Sequence, residues 1–230
     1  MNRILEVCLV ASMLVSTITP YSIAQTPAMT PGISVQMPLA NSAESQPEAD
    51  KEDARIVTVT ATGDVDFGSD PISLADLAQK VRSTPFLRRQ KLYVKADARI
   101  TYAKVLQVLN AARTDGIAPL VMLTAQSESS TPATIVPPKG LEVLLDPPPG
   151  TEPTVVELVD FVQKEPALRI NNQTVFYAAL PSALEKLLPN KSERVVQLKA
   201  EGRLPFAEVV RSIDACHSAG AQVVLVTPNL

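Results

Sequence analysis

A nine-residue stretch occurs twice in this chain, and whatever the first copy folds into the second must be able to fold into as well. Lys95-Ala96-Asp97-Ala98-Arg99-Ile100-Thr101-Tyr102-Ala103 returns 104 residues later as Lys199-Ala200-Glu201-Gly202-Arg203-Leu204-Pro205-Phe206-Ala207. The apolar positions that follow keep the same offset. Tyr102, Val105, Leu106, Leu109 and Ala112 fall at helical spacing, as do Phe206, Val209, Val210, Ile213 and Cys216. Each predicted helix ends at a glycine, Gly116 or Gly220, suited to a left-handed C-cap. Apolar strands are expected next, over Leu120 to Thr124 and Val223 to Thr227. The pattern reads as a tandem duplication.

Upstream of these segments the order also repeats, more loosely. Ile56 to Thr60 alternates β-branched residues, and Gly63-Asp64 turns the chain toward a second strand at Val65 to Phe67. Ser73 and Asp76 form a capping-box pattern opening a helix with Leu74, Leu77, Ala78 and Val81 on one face. In the second half, Leu168 to Ile170 and Thr174 to Tyr177 predict a hairpin around Asn171-Asn172. Ser182 and Glu185 then cap a shorter helix carrying Leu184, Leu187 and Leu188, and Leu92 to Lys95 corresponds to Val195 to Lys199. Thr154 to Gln163, opened by Thr154 with Glu157, is a further helical candidate. Each module is therefore ββαβαβ, and the fold class is α+β: two tandem two-layer domains, each with helices on one face of a small sheet.

The domain reading is a signal peptide or signal anchor over 1–24, a Pro/Ser/Ala-rich linker over 25–54, a first domain over 55–126, a linker over 127–139 and a second domain over 140–230. Twenty prolines against eight glycines make the linkers stiff. At the N-terminus, Arg3 precedes a mostly apolar run from Ile4 to Ile18, and Ser22-Ile23-Ala24 places small residues where a signal peptidase would cut. The same residues 4–24 are long enough to cross a hydrocarbon layer of about 30 Å if retained.

The segments Leu92 to Thr124 and Val196 to Thr227 resemble the periplasmic domain of the ExbD/TolR family. The shared pattern is an apolar strand ending in a basic-small-acidic triplet, an aromatic-led amphipathic helix, a glycine and a last apolar strand. Lys95, Asp97, Tyr102 and Gly116 match it in the first copy; Lys199, Glu201, Phe206 and Gly220 match it in the second. Gly32-Ile33-Ser34-Val35-Gln36-Met37-Pro38 resembles the family's glycine-led segment beyond the membrane helix, and Gly140-Leu141-Glu142-Val143-Leu144-Leu145-Asp146-Pro147 repeats it. The resemblance implies biopolymer transport or envelope energy transduction driven by the proton-motive force. Its partners would be an ExbB/TolQ-like inner-membrane channel, a TonB-like protein or peptidoglycan, with the two domains of one chain able to pair with each other. It implies a periplasmic location, either soluble after cleavage near Ala24 or anchored by residues 4–24. The family's proton-carrying transmembrane aspartate has no counterpart here; Glu6 is the acidic residue in the apolar run and the candidate for that role.

Composition narrows the alternatives. A net charge of −3 argues against non-specific nucleic-acid binding, and the absence of tryptophan against aromatic stacking platforms. One histidine and two cysteines exclude a disulfide framework and a conventional His/Cys zinc site, and no cofactor is implied. Cys216 and His217 are helix neighbours about 100° apart, so they read as core filler and surface residue rather than nucleophile and base. Arg88, Arg89 and Lys91 read as a solvated basic turn, and Lys95/Asp97 and Lys199/Glu201 as ion pairs at the strand-to-helix turns. The expected function is binding and mechanical coupling, not catalysis.

Overall fold

A computed structural model describes residues 33, 35–83, 91–113, 120–125, 137–150, 152–162, 165–188 and 194–226. An extended strap over 35–43 leads to β1 (Glu44–Ser45) and a 3-10 turn at Pro47–Asp50. The first half continues with β2 (Ile56–Val59), β3 (Val65–Phe67), β4 (Asp70–Pro71), α1 (Leu74–Ser83), β5 (Leu92–Ala96), α2 (Tyr102–Ala112) and β6 (Leu120–Thr124). After β7 (Lys139–Leu144) come β8 (Thr154–Val162), β9 (Glu165–Ile170), β10 (Gln173–Val175), α3 (Leu180–Leu187), β11 (Val195–Ala200), α4 (Phe206–Ser218) and β12 (Gln222–Leu225).

Local chemistry accounts for several of these boundaries. Ser73 caps α1: its hydroxyl accepts from the Asp76 N–H at 3.1 Å and donates to the Asp76 carboxylate at 2.6 Å. Asn171 and Asn172 both take positive φ, 48° and 67°, which a two-residue hairpin turn requires, and they join β9 to β10. Gly220, at φ +71°, ends α4. Its N–H reaches the His217 carbonyl at 2.8 Å and the next N–H, of Ala221, reaches Cys216 at 3.1 Å.

The strands form one mixed sheet in the order β10-β9-β8-β11-β12-β7-β6-β5-β2-β3-β4, with β1 alongside β7. Outward from β7, one side runs β6-β5-β2-β3 and the other β12-β11-β8-β9. On both sides the first three strands are mutually parallel and the fourth is antiparallel. β7 itself is antiparallel to β6 and parallel to β12. The four helices found among the described residues contribute, with the sheet, to one continuous core. It runs from Val57, Val94 and Met122 through Leu141 and Val143 to Leu198, Val223 and Leu225. Gly32–Leu230 is one compact unit, so the two expected sheets are here a single sheet joined at β7.

Three expectations change. Thr154 to Gln163, a helical candidate, holds strand β8: Val155, Val156, Val159 and Val162 favour the pleated backbone, and Val156 and Leu158 alternate onto the core face. The second half's shorter helix begins at Leu180 rather than at Ser182, with Pro181 in its first turn. Its buried stripe is therefore Leu180, Leu184 and Leu188, leaving Leu187 about half exposed. The end of the expected 25–54 linker is not free chain. Ala49 packs with Tyr93, Val121 and Leu123 on the helix-free face of the sheet, joined by Met37 and Ile56.

Gly140 sits where β7 is flanked by both β6 and β1. A Cβ there would lie 2.4 Å from a methyl of Val121 and 3.0 Å from the Met122 carbonyl oxygen. Gly140→Ala should therefore lower the unfolding free energy by about 1–3 kcal/mol, the cost of overpacking a filled site. Urea denaturation measures this, and an unchanged midpoint would mean that the sheet is looser at β7 than the geometry indicates.

Candidate functional site

The repeated motif lies where the two halves of the chain meet. Each strand, β5 or β11, ends in its basic-small-acidic triplet, and a five-residue loop leads into α2 or α4. The first N–H groups of a helix have no partner within it. Here each helix sends them into the other half's loop. The Tyr102 N–H donates to the Leu204 carbonyl and the Phe206 N–H to the Ile100 carbonyl, both at 2.8 Å. The Ala103 N–H donates to Gly202 at 2.8 Å and the Ala207 N–H to Ala98 at 3.0 Å. A shift of 104 residues turns each bond into its counterpart. Thr101 and Pro205 form an isolated antiparallel bridge at the centre. Tyr102 and Phe206 are completely buried beneath it.

The acidic members of the triplets hold different partners. Asp97 is 2% exposed, and one oxygen accepts from the Arg99 N–H (3.1 Å) and Nε (2.9 Å). The other accepts from Arg99 Nη2 (3.0 Å) and from the Gln36 N–H of the strap (3.1 Å). The Arg99 guanidinium, with the backbone N–H groups of Arg99 and Gln36, holds this carboxyl well below the usual carboxylate range. Glu201 pairs with Arg203 at 2.8 Å and is more exposed. Lys95 donates to the Ile33 carbonyl at 2.8 Å, and burial lowers its pKa. Lys199 lies 3.9 Å from Glu157. The ion pairs expected within each triplet are thus replaced by acid-x-Arg pairs. At Asp97 the short acidic side chain folds back on the N–H two residues on, and that turn brings Arg99 with it.

The other candidate residues fall as follows. Gly220 follows the Ala219 C-cap of α4, whereas α2 ends earlier than expected, at Ala112; Gly116 and Glu6 lie outside the described residues, as do Arg88 and Arg89. Lys91 pairs with Glu142 at 2.9 Å. Cys216 is fully buried and its thiol is pushed up to about 12, away from nucleophilic use. His217 is half-buried rather than a plain surface residue. Burial lowers its pKa, and its imidazole is hydrogen-bonded to the Glu142 backbone.

Sequence reasoning missed Asp214. On α4, its carboxylate accepts from the Asn41 N–H at 3.1 Å and the Ser42 N–H at 2.7 Å, fastening the strap to the second half. No local signal in the sequence marks a pairing across that separation. Lys95, Asp97 and Asp214 together hold the strap to both halves of the molecule. Among the described residues, no group of three or more His, Cys, Asp or Glu side chains is placed to hold a metal ion. No helix among them is long and apolar enough to cross a membrane.

Compared with known families, the chain matches the model described as biopolymer transport protein ExbD/TolR over residues 7–128, slightly more than half its length. That span includes the N-terminal apolar run from residue 7 onward and everything through β6. No curated protein and no solved structure matches the chain.

Two substitutions test the geometry. Asp97→Asn should destabilise the protein by about 1.5–3 kcal/mol at pH 7, the range for a hydrogen bond to a charged group. A carboxylate with a depressed folded-state pKa stabilises above its unfolded value, near 4, and loses that contribution as pH falls below it. The gap between wild type and Asp97→Asn in urea melts should therefore narrow at pH 3; an equal gap at both values would assign Asp97 no electrostatic role. The Tyr102 hydroxyl is buried with no hydrogen-bond partner. Tyr102→Phe, which copies the residue at 206, should stabilise the fold by about 1 kcal/mol rather than weaken it, since removing a buried unsatisfied group relieves its desolvation cost.

Proposed function

The chain belongs to the ExbD/TolR family of biopolymer transport proteins, and from that premise we propose that it is a component of a cell-envelope system coupled to the proton-motive force. It acts by binding and by transmitting force, not by catalysis. Its partners are an ExbB/TolQ-like channel protein in the inner membrane, or a TonB-like protein or peptidoglycan in the periplasm. The observation that carries this reading is the family match over residues 7–128, which begins just after Glu6 and takes in the rest of the apolar run as well as the first module. It favours retention of residues 4–24 as a membrane helix. In that helix Glu6 is the candidate proton carrier, because an intramembrane carboxyl can alternate between neutral and charged forms.

The strap supports the mechanical part of the proposal. Pull arriving from upstream of Ile33 is received first by Lys95 and Asp97 in the first half and by Asp214 in the second. One N-terminal segment therefore loads both halves. We also take the two halves to be a tandem duplication within one chain. The reciprocal bonds at a constant offset and the like strand order on both sides of β7 support this, although the family match stops at residue 128.

A second reading rests on Ser22-Ile23-Ala24, whose small residues suit signal-peptide cleavage. Cleavage would release a soluble periplasmic binding module with no motor role. Membrane fractionation combined with the mass of the mature N-terminus separates the two. We expect an intact Met1 in the membrane pellet and loss of function in Glu6→Gln. A chain starting at Gln25 in the soluble fraction would sink the motor reading and leave the binding module.

A further inference from the structure

On the helix-free face of the first half, the 3-10 turn at Pro47–Asp50 packs Ala49 against Tyr93. Beside that contact lies a cavity of about 270 Å³, between the turn and the starts of β2 and β5. Its walls are Glu48, Asp53, Ala54, Arg55, Lys91 and Tyr93. The volume falls just under the range of about 300–1,000 Å³ that holds drug-sized ligands, so it suits a smaller one.

These residues differ in depth. Tyr93 is 3% exposed and is fixed by its N–H, which donates to the Arg55 carbonyl at 2.9 Å. Its hydroxyl has no hydrogen-bond partner among the described residues. The charges that act on that hydroxyl are chiefly those of Lys91, Glu48 and Lys51, which places it at the cavity. Arg55 is half-buried, with Nη1 covered, and Lys91 is half-exposed beside it. Glu48 and Asp53 stand exposed at the rim. Donors and positive charge therefore lie deep, and carboxylates lie at the mouth. A buried hydroxyl without a partner is costly, and a ligand that supplies an acceptor relieves that cost.

We propose that this cavity binds an α-amino-acid head group, an ammonium and a carboxylate carried on one carbon. The carboxylate goes in first, accepting from the Tyr93 hydroxyl and meeting the cations of Arg55 and Lys91. The ammonium stays at the mouth with Glu48 and Asp53. A ligand with an anion alone would have to settle between two carboxylates, and one with a cation alone would face Arg55 and Lys91. Lys91 already pairs with Glu142 at 2.9 Å and Glu48 with Lys51 at 2.5 Å. Both pairs are well exposed to water, so sharing them with a ligand costs little. The second half does not repeat the site: a shift of 104 residues puts Gln197 and Val195 in the places of Tyr93 and Lys91. The site needs no membrane partner and is independent of the family reading.

The chain has four tyrosines, so the full-length protein labelled with 3-fluorotyrosine and held in mild detergent gives few fluorine resonances to assign. Tyr93→Phe identifies the one from Tyr93. Titration with alanine at pH 7 should move that resonance to saturation at millimolar concentration, while those of Tyr102 and Tyr177 hold still. Propionate and ethylamine each carry one half of the head group and should bind at least about tenfold more weakly. Tyr93→Phe removes only the hydroxyl and keeps the packing against Ala49. In calorimetry it should weaken alanine binding by about tenfold or more, the effect of losing a hydrogen bond to a charged group, and Tyr177→Phe should not. Nε-acetyl-lysine, which bears the same head group on a chain, separates two sources. If it binds more tightly than alanine, the head group belongs to the end of a longer chain; if less tightly, to a free amino acid. No saturable shift with alanine, propionate binding as well as alanine, or unchanged alanine binding in Tyr93→Phe would each overturn the proposal.

Discussion

Four backbone N–H groups at two helix starts govern how the halves of this molecule are joined, because a buried helix N-terminus must find acceptors somewhere. Tyr102, Ala103, Phe206 and Ala207 find them in the opposite loop. A backbone hydrogen bond contributes only about 0.5–1.5 kcal/mol net, but leaving a buried donor unsatisfied costs about 1–3 kcal/mol. Parting the halves at this joint would strand four donors and uncover two fully buried rings at once. The joint therefore fixes the relation of α2 to α4, and the strands that carry them, β5 and β11, are fixed with it. A continuous core from Val57 to Leu225 then follows.

Around that symmetric joint the charges are not symmetric, and the strap is the reason. Asp97 receives the strap's Gln36 N–H and is buried, while its counterpart Glu201 has Arg203 and open surroundings. A shorter acidic side chain suits the enclosed position, where each oxygen already meets two donors. The longer glutamate suits the open one. The aromatic pair differs in the same way. Tyr102 carries a hydroxyl that nothing at the joint satisfies, and Phe206 fills the equivalent space without one.

Much of this was legible in the sequence wherever local chemistry decided the outcome. The buried stripes of α2 and α4 are the residues their spacing picks out, and the Ser73 cap and the Asn171-Asn172 turn occur where those residue types require them. What the sequence hid depends on long-range partners. Thr154 with Glu157 imitates a helix start, yet the valines around them pair with β11 and β9, and that pairing outweighs the cap. The triplet lysines and acids looked like mutual partners until the turn at Asp97 brought Arg99 closer. Asp214 had no local signature, since its partners Asn41 and Ser42 are brought to it only by the closed path of the strap. The single sheet was equally hidden. An apolar run such as Gly140 to Leu145 reads alike at an edge or in a centre, and only the joint determines that β7 has neighbours on both sides.

The position of β7 also bears on the course of the strap. The strands on its two flanks, β6 and β12, run in opposite directions. Strands in a sheet lie about 4.8 Å apart, so the space between β6 and β12 admits one strand. The glycine-led apolar segment occurs twice in the chain, at 32–38 and at 140–147, and both copies cannot occupy that space. Gly140 to Leu144 takes it. Pro38, at the end of the earlier segment, lies past the end of β6, where Leu39 bridges Ala125 and the Ala125 N–H reaches the Pro38 carbonyl at 2.8 Å. β1 then takes the stretch of β7 that β12 leaves unpaired, at Lys139 and Gly140. A displaced copy held by side-chain carboxylates and a few backbone bonds is easier to lift than a strand locked between two others.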